Sequence, residues 1–134
     1  MFKEPFEIIA LKKHTDNRGS LFEILRFLDS SIPGEGQLYC YTVNPQFRRG
    51  DHYHEKKREW IICVSGIVFA LLQDKQGNKK KVLLNGDEPT LIYCDPGTTH
   101  AILNESDSPA VMISYSSTQH TSENPDTISN LISL

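Results

Sequence analysis

No apolar run in this 134-residue chain approaches the roughly 20 residues that a membrane-spanning helix requires, so no span is expected. The opening Met1-Phe2-Lys3-Glu4-Pro5 carries charge and no apolar stretch. It does not read as a secretory leader, and the expected compartment is the cytoplasm. Basic residues are not in excess: 14 Lys and Arg stand against 17 Asp and Glu, a net charge of −3. That excludes nucleic-acid binding or membrane anchoring through bulk positive charge. Cysteine is sparse, odd in number and without a CxxC pair. Cys40, Cys63 and Cys94 each lie in an apolar stretch and read as small buried hydrophobes in a reducing compartment. There is no repeat with a period of ~20–50 residues, and no window that sustains a long helical pattern.

What remains is 38% hydrophobic and 23% charged, the balance of one globular domain spanning residues 1–134. Short strand-like runs alternate with turn residues. They are Phe6–Leu11, Leu21–Phe27, Leu38–Val43, Trp60–Val64, Ile67–Leu72, Lys79–Leu84, Leu91–Cys94, Ala101–Leu103 and Ala110–Tyr115. Leu28–Gln37 reads as a loop. Ser65-Gly66 and Gln76-Gly77-Asn78 read as hairpin turns. Residues 16–115 form the expected core and 116–134 a polar tail, with Thr127–Leu134 either a short helix started by Asp126 or a loose end. The expected fold class is all-β, an antiparallel sandwich or barrel.

Histidine carries the chemistry. His52 and His54, two apart, point to one face of an extended strand. Glu59 follows just before an apolar run, and Pro96-Gly97 would deliver His100 onto the next strand. An isolated His-x-His is often only a polar patch. With Glu59 and His100 it reads as a first shell for a divalent transition metal: zinc, iron, nickel or manganese. Lys56-Lys57-Arg58 reads by default as a solvated face, with a diphosphate clamp as the sharper alternative, and Lys79–Lys81 as a solvated strand edge. Trp60 reads as core or dimer interface. His14 and His120 lie in polar stretches and are given no role.

The stretch His52-x-His54, Glu59, Gly66 resembles the first motif of the cupin superfamily, without its upstream glycine. Pro96-Gly97-x-x-His100-x-x-x-Asn104 resembles the second, with Asp95 where a proline usually stands. The resemblance implies a small jelly-roll barrel with His52, His54, Glu59 and His100 pointing inward. Asp16-Asn17-Arg18-Gly19 through Glu23, and Arg49-Gly50-Asp51-His52, resemble segments of sugar-nucleotide-modifying cupins. Together with Lys57 and Pro125-Asp126-Thr127, they are similar to the C-terminal cupin domain of bifunctional capsular polysaccharide enzymes. They are also similar to dTDP-4-keto-6-deoxyhexose 3,4-ketoisomerases and 3,5-epimerases.

That likeness implies a zinc-binding homodimer acting at C3 of a nucleotide-linked 4-keto-6-deoxy sugar in surface polysaccharide biosynthesis. It implies His52 as catalytic residue, with Arg49 holding a phosphate or enolate oxygen, and Arg18, Glu23 and Lys57 binding substrate. If His52 is instead a metal ligand, the base is a metal-held hydroxide or a tyrosine such as Tyr41 or Tyr115. A metal-dependent cupin dioxygenase and a non-catalytic sugar-nucleotide binder are the alternatives from other classes.

Overall fold

The computed structural model describes residues 2–27 and 32–133; Leu28–Ser31 of the expected Leu28–Gln37 loop lie outside them. Twelve strands make up the described chain. They are β1 (Phe6–Ala10), β2 (His14–Asp16), β3 (Gly19–Leu21), β4 (Gln37–Val43), β5 (Arg48–Tyr53), β6 (Glu59–Ser65), β7 (Ile67–Gln73), β8 (Lys79–Asn85), β9 (Thr90–Cys94), β10 (Thr99–Leu103), β11 (Ala110–Ser116) and β12 (Ile128–Ser129). Among the described residues no helix is long and apolar enough to cross a membrane. One five-stranded sheet runs β1-β9-β6-β11-β4 and a second β12-β5-β10-β7-β8, with β2-β3 a separate pair. Every pairing is antiparallel. This is the all-β jelly-roll sandwich expected from the sequence.

Alternation along each strand explains the packing. On β6, Ile61 and Cys63 face inward with Ile92 and Cys94 of β9 and Ala110 and Met112 of β11. They meet Val68, Ala70 and Leu72 of β7 and Ile102 of β10 from the other sheet. Trp60 and Ile62 face outward, forming a second cluster with Leu91, Tyr93, Tyr115 and Phe2. Trp60, 1% exposed, is therefore core.

Four local expectations are corrected. Ser65-Gly66 does not close a hairpin: β6 pairs with β9 and β11, β7 with β8 and β10, so the chain passes from one sheet to the other. Gly66 has φ +90, and a Cβ there would sit 3.0 Å from the Ala110 backbone, so the turn demands glycine. Leu21–Phe27 is strand only at its start. Phe22, Ile24 and Leu25 instead lie irregularly across the outer aromatic cluster. Residues 127–133 form neither helix nor loose end. Ile128 and Ser129 pair with Tyr53 and His52 of β5, and Ile132 is buried against Leu71 and Ala101. Cys40 is exposed on the edge strand β4, while Cys63 and Cys94 are buried. Gln76-Gly77-Asn78 does turn β7 into β8, and Lys79–Lys81 are exposed on that edge as expected.

Candidate metal centre and active site

The inner face turns polar at one end of the sandwich. Glu59 opens β6 and lies directly opposite Ser116 of β11. From the other sheet, His52 of β5 lies opposite His100 of β10, beside a register shift between His100 and Ala101. Gly50 makes that approach possible. It has φ +98, and a Cβ there would lie 2.7 Å from the His100 carbonyl oxygen. Gly50→Ala should therefore cost about 1–3 kcal/mol through strain and displace His52 from His100. A thermal melt and a metal titration on the same variant check both effects.

The imidazoles of His52, His54 and His100 converge, with one ligand nitrogen of each within 4.8 Å of the others. Glu59 adjoins two of them: Oε2 lies 3.0 Å from His100 Nε2 and Oε1 lies 3.4 Å from His54 Nε2. Tyr39 Oη and Ser116 Oγ both donate to Glu59 Oε1, at 2.8 and 2.9 Å. His54 Nδ1 donates to the Asp126 carbonyl at 2.7 Å. A carbonyl only accepts, so Nε2 of the neutral ring carries the lone pair. That nitrogen is buried, has no hydrogen-bond partner, and faces a carboxylate oxygen. Two acceptors face to face call for a proton or a metal cation between them. Metal bonds of about 2.0–2.2 Å set neighbouring ligand atoms roughly 3.0–3.5 Å apart, so the Glu59 contacts fit a shared ion.

Electrostatics follow from burial and neighbours. Burial, with His100 and His54 close by, pushes the His52 imidazole down to about 4. Burial alone would raise Glu59, but the His100 hydrogen bond, with the His54 ring close by, holds its carboxyl well below the usual range. Burial opposes charge on His100, yet Cys94 and Glu59 outweigh it and hold that imidazole well above its usual 6.5. The metal-free protein should therefore lose stability in acid. Folded His52 refuses a proton until about pH 4, whereas the unfolded chain takes one near 6.5. Between those values the loss is on the order of 2 kcal/mol, discounted for the ring's partial exposure. Glu59 adds a loss below about 4.5. The His100 contribution has the opposite sign: it is fully present below 6.5 and fades as pH rises through the folded value. Urea midpoints against pH should show this acid limb, flattened in His52→Gln.

Two cavities open beside the cluster and share Tyr39 and His52. One, about 220 Å³, is lined by Tyr41, Arg49, Gly50, His100 and Ile102. The other, about 260 Å³, is lined by His54, Lys57, Glu59, Ser116, His120 and Thr127. Arg49 Nε donates to the Thr42 carbonyl at 2.9 Å, and its guanidinium lies 5.7 Å from the Tyr41 ring centre. Burial pushes the Tyr41 phenol up to about 12. Lys57 is 6% exposed, so Lys56-Lys57-Arg58 is not a uniform solvated face. Arg58 instead lies 4.9 Å from the Trp60 ring centre.

The structure thus gathers His52, His54, Glu59, His100, Arg49, Tyr41 and Lys57. It does not bring Tyr115, Arg18 or Glu23 to them. Tyr115 projects from the opposite face of the sheet, packed on Trp60 and donating to the Glu35 carbonyl. Arg18 pairs with Asp16 in the β2-β3 hairpin with its side chain 90% exposed, and Glu23 pairs with Arg26. A larger apolar cavity of about 520 Å³ also lies on Tyr115's side, lined by Phe22, Leu25 and Trp60, away from the histidines. Sequence reasoning missed Tyr39, although its spacing from Tyr41 places both on one face. It also missed Ser116, Asp126 and His120. Asn104 of the second motif proves architectural: its buried amide donates to the Val43 and Ser108 carbonyls.

Residues 14–128 match the family described as Polysaccharide biosynthesis C-terminal domain. The chain belongs to this family. A relative is the UDP-2-acetamido-2,6-beta-L-arabino-hexul-4-ose reductase of Pseudomonas aeruginosa, 31% identical over 115 residues. The match covers 85% of this chain and 30% of that one. Among solved structures, the capsular polysaccharide assembling protein CapF of Staphylococcus aureus superposes with a TM-score of 0.70 at 25% identity, over 91% of this chain and 34% of that one. The rmlC epimerase of Mycobacterium tuberculosis superposes at 0.76, also 25% identical, over 89% and 66%. The chain therefore spans about a third of the length of the reductase and of CapF. A named hexul-4-ose reductase, a capsular polysaccharide assembling protein and an epimerase accord with the resemblance read from the motifs.

Proposed function

We propose that this chain catalyses proton exchange at C3 of a nucleotide-linked 4-keto-6-deoxy sugar, as an epimerase or 3,4-ketoisomerase of surface polysaccharide biosynthesis. In this reading His52, His54, Glu59 and His100 hold a divalent metal, zinc, and the protein works as a cytoplasmic homodimer. The observation that carries it is the convergence of three imidazoles on a buried carboxylate, with the lone pair of His54 Nε2 unpartnered, in a member of this family. A reductase named for a hexul-4-ose substrate and a named epimerase among its relatives support the substrate class. For the dimer, support comes from β4, which ends its sheet with Leu38 72% exposed.

A ketone at C4 acidifies the hydrogen on C3, so the site must move that proton and stabilise the enolate oxygen. A metal, when bound, polarises the ketone as a Lewis acid. Arg49, anchored through Nε, turns its remaining N–H groups toward a phosphate or the enolate oxygen. Burial keeps Tyr41 a phenol at rest, while the Arg49 guanidinium beside it favours the phenolate. The phenolate takes the C3 proton and, as the phenol re-formed and exchanged with solvent, returns a proton to C3. Lys57 places a cation at the wall of the second cavity, matched to an anionic diphosphate. His52, kept neutral, offers its lone pair as a ligand.

The test is deuterium incorporation at C3 of a UDP- or dTDP-linked 4-keto-6-deoxy sugar in D2O, followed by NMR with zinc-loaded protein. Tyr41→Phe should slow exchange about 10²-fold or more with zinc retained, while His52→Asn should lose zinc. A His52→Asn protein that keeps zinc but not exchange would make His52 the base. No deuterium with any such sugar sinks the proposal.

A further inference from the structure

We infer that Asp126 is a positioning residue that sets the His54 ring and the loop joining His54 to Glu59. Its carboxylate accepts three successive backbone N–H groups, from Glu55 at 3.0 Å, Lys56 at 3.1 Å and Lys57 at 3.0 Å. Its backbone carbonyl accepts His54 Nδ1–H at 2.7 Å. One residue therefore holds both ends of the His54 geometry. The carboxylate closes the loop into an anion nest, and the carbonyl selects the tautomer that aims the Nε2 lone pair at Glu59. The loop also bears on the opposite side of the site, because Gly97 of the Pro-Gly turn donates to the His54 carbonyl at 2.7 Å.

The backbone agrees with this assignment. Asp126 has φ +52, a left-handed conformation that asparagine, aspartate and glycine tolerate. The strand that follows carries it into register: Ile128 and Ser129 pair with Tyr53 and His52. Farther along, Asn130 N–H donates to the Asp51 carbonyl at 2.7 Å. The C-terminal segment is thus fastened independently of Asp126, which leaves the Asp126 carboxylate free to serve the loop.

Two readouts test this, and only the second rests on the metal reading above. The first is the His54 tautomer in metal-free protein, read from its ring ¹⁵N shifts and assigned with His54→Gln. Wild-type protein should show the Nδ1–H form. Asp126→Gly keeps the backbone conformation and carbonyl but removes all three loop anchors, and should give a mixture of tautomers. The second is zinc affinity by competition with a chromophoric chelator, expected to fall about 10–100-fold in Asp126→Gly. Asp126→Asn retains one acceptor oxygen and should fall between, about threefold or more below wild type.

Asn130→Ala breaks the Asn130 bond to Thr99 Oγ1 in the same segment. It should lower the melting temperature without altering tautomer or affinity. An Asp126→Gly protein that behaves as Asn130→Ala does overturns the inference. If Asp126→Gly does not fold, an Asp126→Asn protein with wild-type tautomer and affinity overturns it equally. Failure of wild-type protein to bind zinc would defeat the metal reading and leave the tautomer test standing.

Discussion

Glu59→Gln should destabilise the metal-free protein by about 3 kcal/mol at pH 7, near the low end for breaking a buried ion pair, with a fall in Tm of roughly 10 °C. The substitution preserves shape, so it isolates charge. The glutamine oxygen can still accept from Tyr39 and Ser116, but its NH2 meets imidazole nitrogens where a carboxylate stood. His100 then loses the partner that holds it protonated. It can answer by shedding its proton, which is why the cost stays at the low end. If Glu59 is a ligand, zinc affinity should fall by more than the roughly 10–100-fold of an outer-sphere change. Thermal melts with and without chelator, beside a competition titration, separate the two effects. A melt unchanged in both conditions would mean that Glu59 is not energetically coupled to the histidines.

Trp60→Ala should cost more stability, about 3–5 kcal/mol, and leave zinc affinity within about threefold, since its side chain leaves β6 on the face opposite Glu59. Trp60 is the next residue on β6, but it faces the other way. Its ring lies 5.6 Å from Phe2, 5.2 Å from Tyr93 and 5.4 Å from Tyr115. No hydrogen bond is lost with it, because its Nε1 is buried and without a partner. Trp60→Phe should therefore cost far less, the smaller ring being offset by removal of an unsatisfied N–H. Urea unfolding of both variants checks the order. A Trp60→Ala protein as stable as Trp60→Phe would mean that the outer cluster repacks freely.

These neighbours show what the sequence made legible. The spacing of His52 from His54 announced their convergence, because a strand's period is local, whereas the opposite facing of Glu59 and Trp60 emerged only with β6 in place. Tyr115 was misassigned for a related reason: Ser114 and Ser116, one residue to either side, are the β11 positions that face inward. The Ser65-Gly66 turn was misread because two strands joined by a tight turn look alike in sequence whether they pair or part into different sheets. What parts them is the demand of β9, β11, β10 and β8 for neighbours, which no local pattern records. Asp126 was noticed only in a motif and as the start of a possible helix. Its role depends on chain that returns to the histidine loop from about 70 residues away, as the His54 contact shows.

The division of the site between sheets has a kinetic side. Glu59 belongs to a sheet in which Phe6 pairs with Cys94 and Val43 with Ala110, while His52 meets His100 in the other. Such distant pairings give a high contact order, and sheets of this kind assemble slowly. Neither sheet alone holds Glu59 together with His52 and His100, so an ion bound by all of them would find its site only after the two sheets had closed on each other. Such an ion would act as a clasp fastened after the fold: it would do little to speed folding, and its binding free energy would go to holding the sheets together. At a free concentration of 1,000 times Kd, that hold is about 4 kcal/mol.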